Sequence, residues 1–257
     1  MATINSEIFK AYDVRGLYPS QIDADAAFLI GQAFIVYLGA TRIAVGRDMR
    51  TSAPEISSAF IEGARKQGAQ VVDYGMIGTD MLYYAVASGQ FDGGAEITAS
   101  HNPKEYIGLK LVRQHAIPLS SDAGIGDIRD MILHDQIPTG PTTTGNRSQS
   151  EILNPYLDHV RSFIDLGAIK PFRLVLDAGS GIAGMVAPHL LKDLPCHTTE
   201  LCFDVDGTFP HHEANPLIEK NRRDLVNRVI ADSADAGIAW DGDADRCFFI
   251  DGDGGFV

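Results

Sequence analysis

Apolar residues in the first half of the chain alternate between short continuous runs and helical spacing. The short runs predict strands at 42–45, 71–74, 93–97 and 108–112. Apolar residues at helical spacing predict helices at 23–38, 52–68, 79–87 and 122–133, the second of them capped by Ser52. Alternating strands and helices predict a layered α/β domain with functional loops at one edge of its sheet.

The second half of the chain repeats this alternation after an interruption. Residues 138–145 are rich in Pro, Gly and Thr, lack any periodicity and predict a domain boundary. Beyond them the pattern predicts helices at 151–166 (starting near Ser150), 185–194 and 221–233, and strands at 172–177 and 237–240. We therefore expect an α/β protein of two tandem layered domains with mixed sheets, one over residues 1–145 and the other over 150–257.

Composition narrows the class of protein and of partner. With 45% hydrophobic and 21% charged residues, the chain is typical of a soluble globular protein. A formal net charge of -13 disfavours nucleic acid and anionic membranes as partners, although local Arg and Lys residues can still bind a small phosphorylated substrate.

The three cysteines are odd in number and lack C-x-x-C spacing, so neither a disulfide framework nor a zinc site is indicated. With no signal-peptide core and no membrane-spanning apolar run, a reducing, cytoplasmic location is expected.

A glycine-rich turn follows the predicted strand at 172–177. Gly179, Gly181 and Gly184 form a G-x-G-x-x-G pattern before a predicted helix, and Asp204 lies 20 residues beyond Gly184. This spacing fits the dinucleotide-binding fingerprint, so one hypothesis is an NAD-dependent oxidoreductase that uses the Gly179–Gly184 turn. Any tight strand-to-helix crossover also favours glycine for steric reasons, so the pattern by itself leaves both interpretations open.

A polar loop at 98–103 separates two apolar runs. Its sequence is Thr-Ala-Ser-His-Asn-Pro, in which Pro103 disfavours a helical conformation at Asn102 and Asn102 can close an Asx turn. Such a turn holds Ser100 and His101 out of the strand ladder. Arg15, next to a glycine near the N-terminus, can bind phosphate through two hydrogen bonds from its guanidinium group.

An acidic loop follows the predicted strand at 237–240. Asp241, Asp243 and Asp245 are separated by single small residues, so a tight turn can bring three carboxylates to one point, where their repulsion favours a hard cation such as Mg²⁺. A calcium EF-hand is excluded because the twelfth position is Gly252 instead of glutamate. Arg246 adds a phosphate-binding group, and metal, arginine and loop serine together indicate phosphoryl transfer.

At these two loops the sequence resembles the α-D-phosphohexomutases, the phosphomannomutase and phosphoglucomutase family. The loop at 98–103 is similar to the phosphoserine loop of that family, and Asp-Gly-Asp-Ala-Asp-Arg at 241–246 is similar to its magnesium loop. Further similar segments lie at 10–16, 46–48 and 108–110. The resemblance implies the N-terminal half of a four-domain architecture, with domain I carrying the phosphoserine loop and domain II the metal loop. It also implies a glycine-rich crossover without a dinucleotide.

The resemblance implies a reversible transfer of phosphate between the 1- and 6-positions of a hexose phosphate, of mannose or glucose. Phosphate passes from the serine to the sugar, a hexose 1,6-bisphosphate forms and reorients, and the other phosphate returns to the serine. The implied catalytic residues are Ser100, Lys110, His101 and Arg15, with Lys110 assisting proton transfer at the sugar hydroxyl. The implied metal ligands for Mg²⁺ are Ser100, Asp241, Asp243 and Asp245, and the implied phosphate-binding residues are Arg246 and Arg15.

Two features depart from the family pattern. Tyr106-Ile107-Gly108 replaces a Tyr-Asn-Gly turn, which removes a polar side chain near Lys110. The resemblance also implies further C-terminal domains of the same enzyme that recognise the sugar and bind the non-transferred phosphate, and these domains are not in this sequence. The residues at 247–257 look like a hairpin cut in its return strand, which fits this expectation. We expect the chain by itself to be inactive or weakly active. A non-catalytic module that binds sugar phosphate or metal stays open as a third hypothesis, and no pattern predicts an oligomeric state.

Overall fold

The computed structural model describes residues 4–257, which form two compact units. The first unit holds the chain up to Ala99 together with Glu105–Glu151. The second holds Ile152–Val257 together with the short segment Ser100–Lys104. The loop at 98–103 therefore divides between the units, with Ser100 and His101 in the second. None of the helices in residues 4–257 has both the length and the apolar character needed to cross a bilayer.

The first unit is a mixed sheet covered by four α-helices. Its elements in chain order are β1 (Val14–Leu17), α1 (Ala24–Leu38), β2 (Arg42–Arg47), α2 (Ala53–Lys66), β3 (Gln70–Met76), α3 (Thr79–Ser88), β4 (Gly93–Ile97), β5 (Tyr106–Arg113), β6 (Ile117–Pro118), α4 (Ile125–Leu133) and β7 (Arg147–Gln149). The strand order is β1-β5-β4-β2-β3-β7, and β6 pairs with β5. Strand β5 runs antiparallel to β1 and β4, whereas β4, β2, β3 and β7 are mutually parallel.

The second unit is a smaller mixed sheet with three α-helices. Its elements are α5 (Leu153–Arg161), β8 (Arg173–Asp177), α6 (Ala183–Leu191), β9 (His197–Leu201), α7 (Arg223–Asp232), β10 (Ala236–Trp240) and β11 (Cys247–Asp251). The strand order is β11-β10-β8-β9, with β11 alone antiparallel. The expected α/β class with mixed sheets is confirmed.

Several elements differ from the sequence-based expectation, including three strands that it did not predict, β6, β7 and β9. Strands β7 and β9 were not predicted, because both lie at sheet edges and most of their side chains are exposed, so neither has an apolar pattern. The helix expected from Ser150 begins at Leu153 without a side-chain cap. Ser52 does occupy the residue before α2, but its own helical backbone prevents the extended cap geometry and no capping hydrogen bond forms.

Two glycines allow α1 and α2 to pack closely in the core of the first unit. A Cβ atom at Gly31 would lie 2.2 Å from the carbonyl oxygen of Phe60, and one at Gly63 would lie 2.1 Å from that of Phe28. Nearby, the rings of Phe34 and Phe60 are 5.8 Å apart between centroids. The helix backbones therefore touch where neither residue has a side chain.

Gly63→Ala is expected to destabilise the protein by about 2 kcal/mol, measured as the free energy of unfolding in urea. Alanine improves helix propensity by about 1 kcal/mol, but a methyl group forced against a backbone carbonyl requires the helices to separate, and such overpacking costs about 1–3 kcal/mol or more. Ser58→Ala, a partly buried position on the same helix, is the control and should change stability by less than about 0.5 kcal/mol. A stabilised Gly63→Ala protein would contradict the close-packing argument.

Parallel pairing brings loops together at the carboxyl ends of the strands in each unit. In the first unit the Asp48 amide, just after β2, donates to the carbonyl of Ile97 at the end of β4 (3.0 Å). In the second unit the Ile182 amide, in the turn after β8, donates to the carbonyl of Gly242 after β10 (3.0 Å). The acidic loop therefore packs directly on the glycine-rich turn.

Candidate functional site

The acidic loop is a tight turn between β10 and β11. The Asp241 amide donates to the Arg246 carbonyl (3.3 Å), and the Ala244 amide donates to the Asp241 carbonyl (3.1 Å). Ala244 adopts a left-handed conformation with φ of 60°. These bonds reverse the chain within six residues, so the side chains at alternate positions point to a common centre.

The three aspartates of this loop converge. Each of Asp241, Asp243 and Asp245 offers a carboxylate oxygen within 4.8 Å of the other two, and the first two residues are buried. Burial, followed by the charges of Asp243 and Asp245, raises the pKa of Asp241 to about 6, although a hydrogen bond from Ser100 and the charge of Arg246 oppose the rise. A cluster of carboxylate oxygens whose mutual repulsion is this strong fits a hard divalent cation such as Mg²⁺.

Ser100 lies against this cluster. Its backbone is left-handed (φ 51°), its exposed fraction is 2%, and its Oγ donates to Asp241 Oδ2 at 2.6 Å. Arg246 donates from Nη2 to the same Oγ at 2.5 Å and also forms a short ion pair with Asp241. The serine hydroxyl is therefore held between a carboxylate and a guanidinium group.

His101 completes the cluster in the second unit. Its Nδ1 lies 3.3 Å from Ser100 Oγ and 2.5 Å from Arg246 Nη2. A guanidinium nitrogen can only donate, so Nδ1 is the acceptor in the contact with Arg246. The second unit thus brings together six of the predicted site residues: Ser100, His101, Asp241, Asp243, Asp245 and Arg246.

The other two predicted residues, Arg15 and Lys110, lie in the first unit on neighbouring strands. Arg15 on β1 pairs in register with Gly108 on β5, and its Nη2 donates to Asp13 Oδ2 at 2.5 Å. Lys110 on β5 lies opposite Glu96 on β4, and its Nζ donates to Thr79 Oγ1 at 3.3 Å. Both cations are therefore positioned by one sheet of the first unit.

In the metal-free protein, the contribution of Asp241 to stability should fall as pH rises from 3.8 to about 6. In this window the unfolded chain has lost the Asp241 proton and the folded protein still holds it, so a rise in pH favours unfolding. Thermal melts in EDTA at pH values below and above the window measure the effect. Asp241→Asn should remove this component of the pH dependence, and an identical pH profile for wild type and variant would contradict it.

The first unit also holds the buried polar residues Asp48, Arg50 and Thr79 near the carboxyl ends of its strands, and of these only Asp48 lies in a segment that the sequence singled out. Asp48 and Arg50 form an ion pair with an Nε to Oδ2 distance of 3.2 Å, and the exposed fraction of Arg50 is 1%. Arg50 Nη1 also donates to the Tyr106 carbonyl (3.1 Å), which ties the loop after β2 to the start of β5. Thr79, the partner of Lys110, was expected only as a helix start. A charged residue in a loop gives no signal of its burial, so these roles follow from the fold alone.

Packing explains the glycines of the G-x-G-x-x-G turn. A Cβ at Gly181 would lie 2.6 Å from the Gly242 carbonyl oxygen, and one at Gly184 would lie 2.3 Å from that of Phe203. Gly179 has a left-handed backbone with φ of 54°, and Asp204 is exposed. The turn is therefore in contact with the acidic loop and with the chain after β9, which accounts for its glycines without a dinucleotide.

A second polar cluster in the same unit comprises Asp177, Cys202 and His212. Burial opposes a charged imidazole here, but hydrogen bonds with Asp177 and Cys202 and the charge of Asp177 outweigh it and raise the pKa of His212 to about 11. From the sequence, the turn-rich segment around His212 allows either an exposed loop or a metal-ligating histidine. In the structure the His212 side chain is only 14% exposed, so an exposed loop does not describe it.

Comparison with known proteins gives consistent matches over both units. Residues 6–136 match the family description "Phosphoglucomutase/phosphomannomutase, alpha/beta/alpha domain I", and residues 154–254 match "alpha/beta/alpha domain II" of the same family. Among curated proteins, the chain is 40% identical over 249 residues to the "Phosphohexose mutases" protein of Xanthomonas campestris pv. campestris (strain B100), with 97% of this chain and 55% of that protein covered.

Two further relatives agree with these matches. A phosphomannomutase of Escherichia coli is 38% identical over 256 residues, with 97% of this chain and 56% of that protein covered. The crystal structure of a phosphoglucomutase/phosphomannomutase family protein from Burkholderia thailandensis superposes with a TM-score of 0.89 at 36% identity, covering 99% of this chain and 57% of that one. The chain thus spans a little over half the length of the relatives it matches.

Proposed function

Because the chain belongs to the phosphoglucomutase/phosphomannomutase family, we propose that its Ser100 carries the phosphoryl group exchanged between the 1- and 6-positions of a hexose phosphate. The observation that carries the proposal is the position of Ser100 Oγ, 2.6 Å from Asp241 and 2.5 Å from Arg246 within a buried cluster. A hydroxyl held in this way presents an oxygen to phosphorus while the arginine offsets charge on the transferred group.

Arg246 and Arg15 are the proposed phosphate-binding groups. The guanidinium of Arg246 already donates to the serine oxygen that would bear the phosphate. Its positive charge would therefore lie close to the equatorial phosphate oxygens and stabilise their negative charge. Nearby carboxylates raise the pKa of Arg246 against the effect of its burial, which keeps the side chain charged. Arg15 is held by Asp13 on the edge strand β1 of the first unit and would bind phosphate from that unit.

The acidic loop is the proposed magnesium site. Asp241, Asp243 and Asp245, with an oxygen of phosphorylated Ser100, form the proposed ligand set, supported by the convergence of the three carboxylates. When bound, Mg²⁺ supplies positive charge that stabilises the phosphoryl group in transfer. Without bound Mg²⁺, Arg246 offsets part of the carboxylate charge through its ion pair with Asp241.

Lys110 is the proposed proton-transfer group. When the sugar hydroxyl attacks the phosphoserine, its O–H bond breaks and an amine can accept the proton; the reverse step returns it. The hydrogen bond from Lys110 orients the amine toward Thr79, the buried first residue of α3. His101, whose Nδ1 faces Ser100 and Arg246, lines the site and limits the rotation of the serine.

The proposed substrates are mannose and glucose phosphates in the cytoplasm, with a hexose 1,6-bisphosphate as intermediate and activator. Curated relatives named phosphomannomutase support the sugar class. Those relatives are nearly twice as long as this chain, so we propose that domains outside this chain recognise the sugar. The chain itself contributes the phosphoserine and metal loops.

The proposal is tested with the longest natural protein that contains this chain. We expect interconversion of mannose 1-phosphate or glucose 1-phosphate with the 6-phosphate in the presence of Mg²⁺ and a hexose 1,6-bisphosphate, and phosphate on Ser100 by mass spectrometry. The 257-residue chain should turn over weakly or not at all. Absence of both turnover and phosphoserine would favour a non-catalytic binding module, and saturable NADH binding by fluorescence would restore the oxidoreductase hypothesis.

A further inference from the structure

The Asp177, Cys202 and His212 cluster lies at the carboxyl ends of two parallel strands. Asp177 is the last residue of β8, Cys202 directly follows β9, and the two strands pair with Asp177 opposite Leu201. His212 reaches the same point from the long segment between β9 and α7. Its Nε2 lies 3.1 Å from Asp177 Oδ2 and 3.7 Å from Cys202 Sγ, and the three atoms lie within 4.8 Å of one another.

Hydrogen bonds hold all three side chains in this arrangement. Asp177 accepts the Gly179 amide on Oδ1 (2.9 Å), which leaves Oδ2 facing the histidine. The Cys202 carbonyl accepts the Ser180 amide (2.8 Å), so the backbone that carries the thiol is tied to the glycine-rich turn. The Nδ1 of His212 lies 3.0 Å from the Glu213 carbonyl oxygen. Because a carbonyl oxygen only accepts, Nδ1 carries a hydrogen and Nε2 faces the carboxylate and the thiol.

From this geometry we propose that Asp177, Cys202 and His212 form a binding site for Zn²⁺ or a similar transition-metal ion. Sulfur, imidazole nitrogen and a single carboxylate oxygen are the donors that zinc selects. Tetrahedral bonds of about 2.0–2.3 Å place neighbouring ligand atoms roughly 3.3–3.6 Å apart, close to the two separations found. An Nδ1–H group donating to a backbone carbonyl is also the usual outer contact of a zinc-bound histidine.

The donor chemistry separates this site from the acidic loop. The acidic loop offers carboxylates alone, which suit Mg²⁺, whereas a thiolate and an imidazole bind Mg²⁺ poorly. On binding, the thiol proton and the proton shared by His212 and Asp177 leave to solvent, and the metal takes their place. His212 and Cys202 are only partly buried, so water can supply a fourth ligand. The ion would join β8, β9 and the segment that carries His212.

Cobalt(II) titration of the full chain in excess Mg²⁺ tests the proposal, because cobalt replaces zinc and reports its ligands. We expect one equivalent to produce a thiolate-to-cobalt charge-transfer band and the intense visible bands of tetrahedral cobalt, and one equivalent of Zn²⁺ to abolish both. Cys202→Ser should remove the charge-transfer band and weaken Zn²⁺ binding at least 100-fold in a competition assay with a chromophoric chelator. His212→Gln should weaken binding similarly and serves as the second variant if Cys202→Ser does not fold.

Two control variants make the assignment specific. Cys247→Ser removes an exposed cysteine of the same unit and should leave the cobalt spectrum unchanged. Asp241→Asn alters the acidic loop and should also leave it unchanged, which distinguishes this site from the proposed magnesium site. A wild-type protein that gives no charge-transfer band, or a band that survives Cys202→Ser, would overturn the proposal and leave His212 and Asp177 as an ion pair only.

Discussion

Ser100→Ala is expected to lower the rate of phosphoryl transfer by at least about 10⁴-fold, as does loss of the attacking side chain in other enzymes with covalent intermediates. The alanine removes the hydroxyl oxygen that lies 2.6 Å from Asp241 and 2.5 Å from Arg246 and would bear the phosphate. The measurement is a coupled assay of the longest natural protein, with mass spectrometry of the peptide that contains residue 100. The variant should contain no phosphate at this loop.

The matched control is Ser121→Ala, at an exposed serine of the first unit whose hydroxyl donates to its neighbour Asp122. Its activity should equal that of wild type. Because Ser100 is buried, the melting temperature of Ser100→Ala is measured alongside and should stay close to that of wild type. Mg²⁺ binding is measured as well and should weaken, because the alanine removes one proposed ligand oxygen. Turnover within a factor of ten of wild type in a folded Ser100→Ala protein would exclude the serine as the phosphoryl carrier.

Asp243→Asn is expected to reduce activity by roughly 10³-fold at limiting Mg²⁺, because one buried carboxylate of the acidic loop is lost and with it most of the stabilisation that a bound metal supplies. High Mg²⁺ should restore part of the rate. In wild type, EDTA should abolish activity and added Mg²⁺ should restore it. Titration of the initial rate with Mg²⁺ gives the apparent affinity of both proteins.

Asp243→Asn should lower activity, as above, but it should raise the stability of the metal-free protein. Three converging carboxylates repel one another, so removal of one charge should raise the melting temperature in EDTA by a few degrees while Mg²⁺ raises it less than in wild type. The control is Asp253→Asn, which makes the same charge change at an exposed aspartate in the turn after β11. It should change neither the melting temperature in EDTA nor the increase in melting temperature that Mg²⁺ causes. A variant that is destabilised in EDTA and equally responsive to Mg²⁺ would argue against a metal site at this loop.

Local patterns predicted the elements with strong apolar periodicity. Each of the helices α1 and α2 buries one face, so its apolar residues recur at helical spacing. Strands β2 and β4 are buried on both faces, so their apolar residues form short continuous runs. Strands β7 and β9 have no such pattern, because an edge strand with exposed side chains gains its stability from backbone pairing. Backbone pairing places no requirement on side-chain hydrophobicity.

The same distinction applies to the candidate site, where the sequence indicated some residues and only the structure showed the others. The spacing of the three aspartates and the family resemblance of the loop at 98–103 made Ser100 and these aspartates candidates from the sequence. Thr79 and Arg50 have no distinguishing neighbours in the sequence, and Asp48 stood out only as part of the family-like segment at 46–48. The roles of all three depend on burial and on contacts across the sheet. Cysteine spacing indicated no zinc site, although Cys202 lies beside His212 and Asp177.

The sequence by itself therefore determined the alternation of strands and helices, the residue types in each loop and the family. Only the tertiary structure decided which loops meet. Ser100 and Asp241 are 141 residues apart, and Asp177 and His212 are 35 apart, yet each pair is within hydrogen-bonding distance. These contacts depend on strand order and register, which arise from long-range pairing between segments that no local pattern encodes.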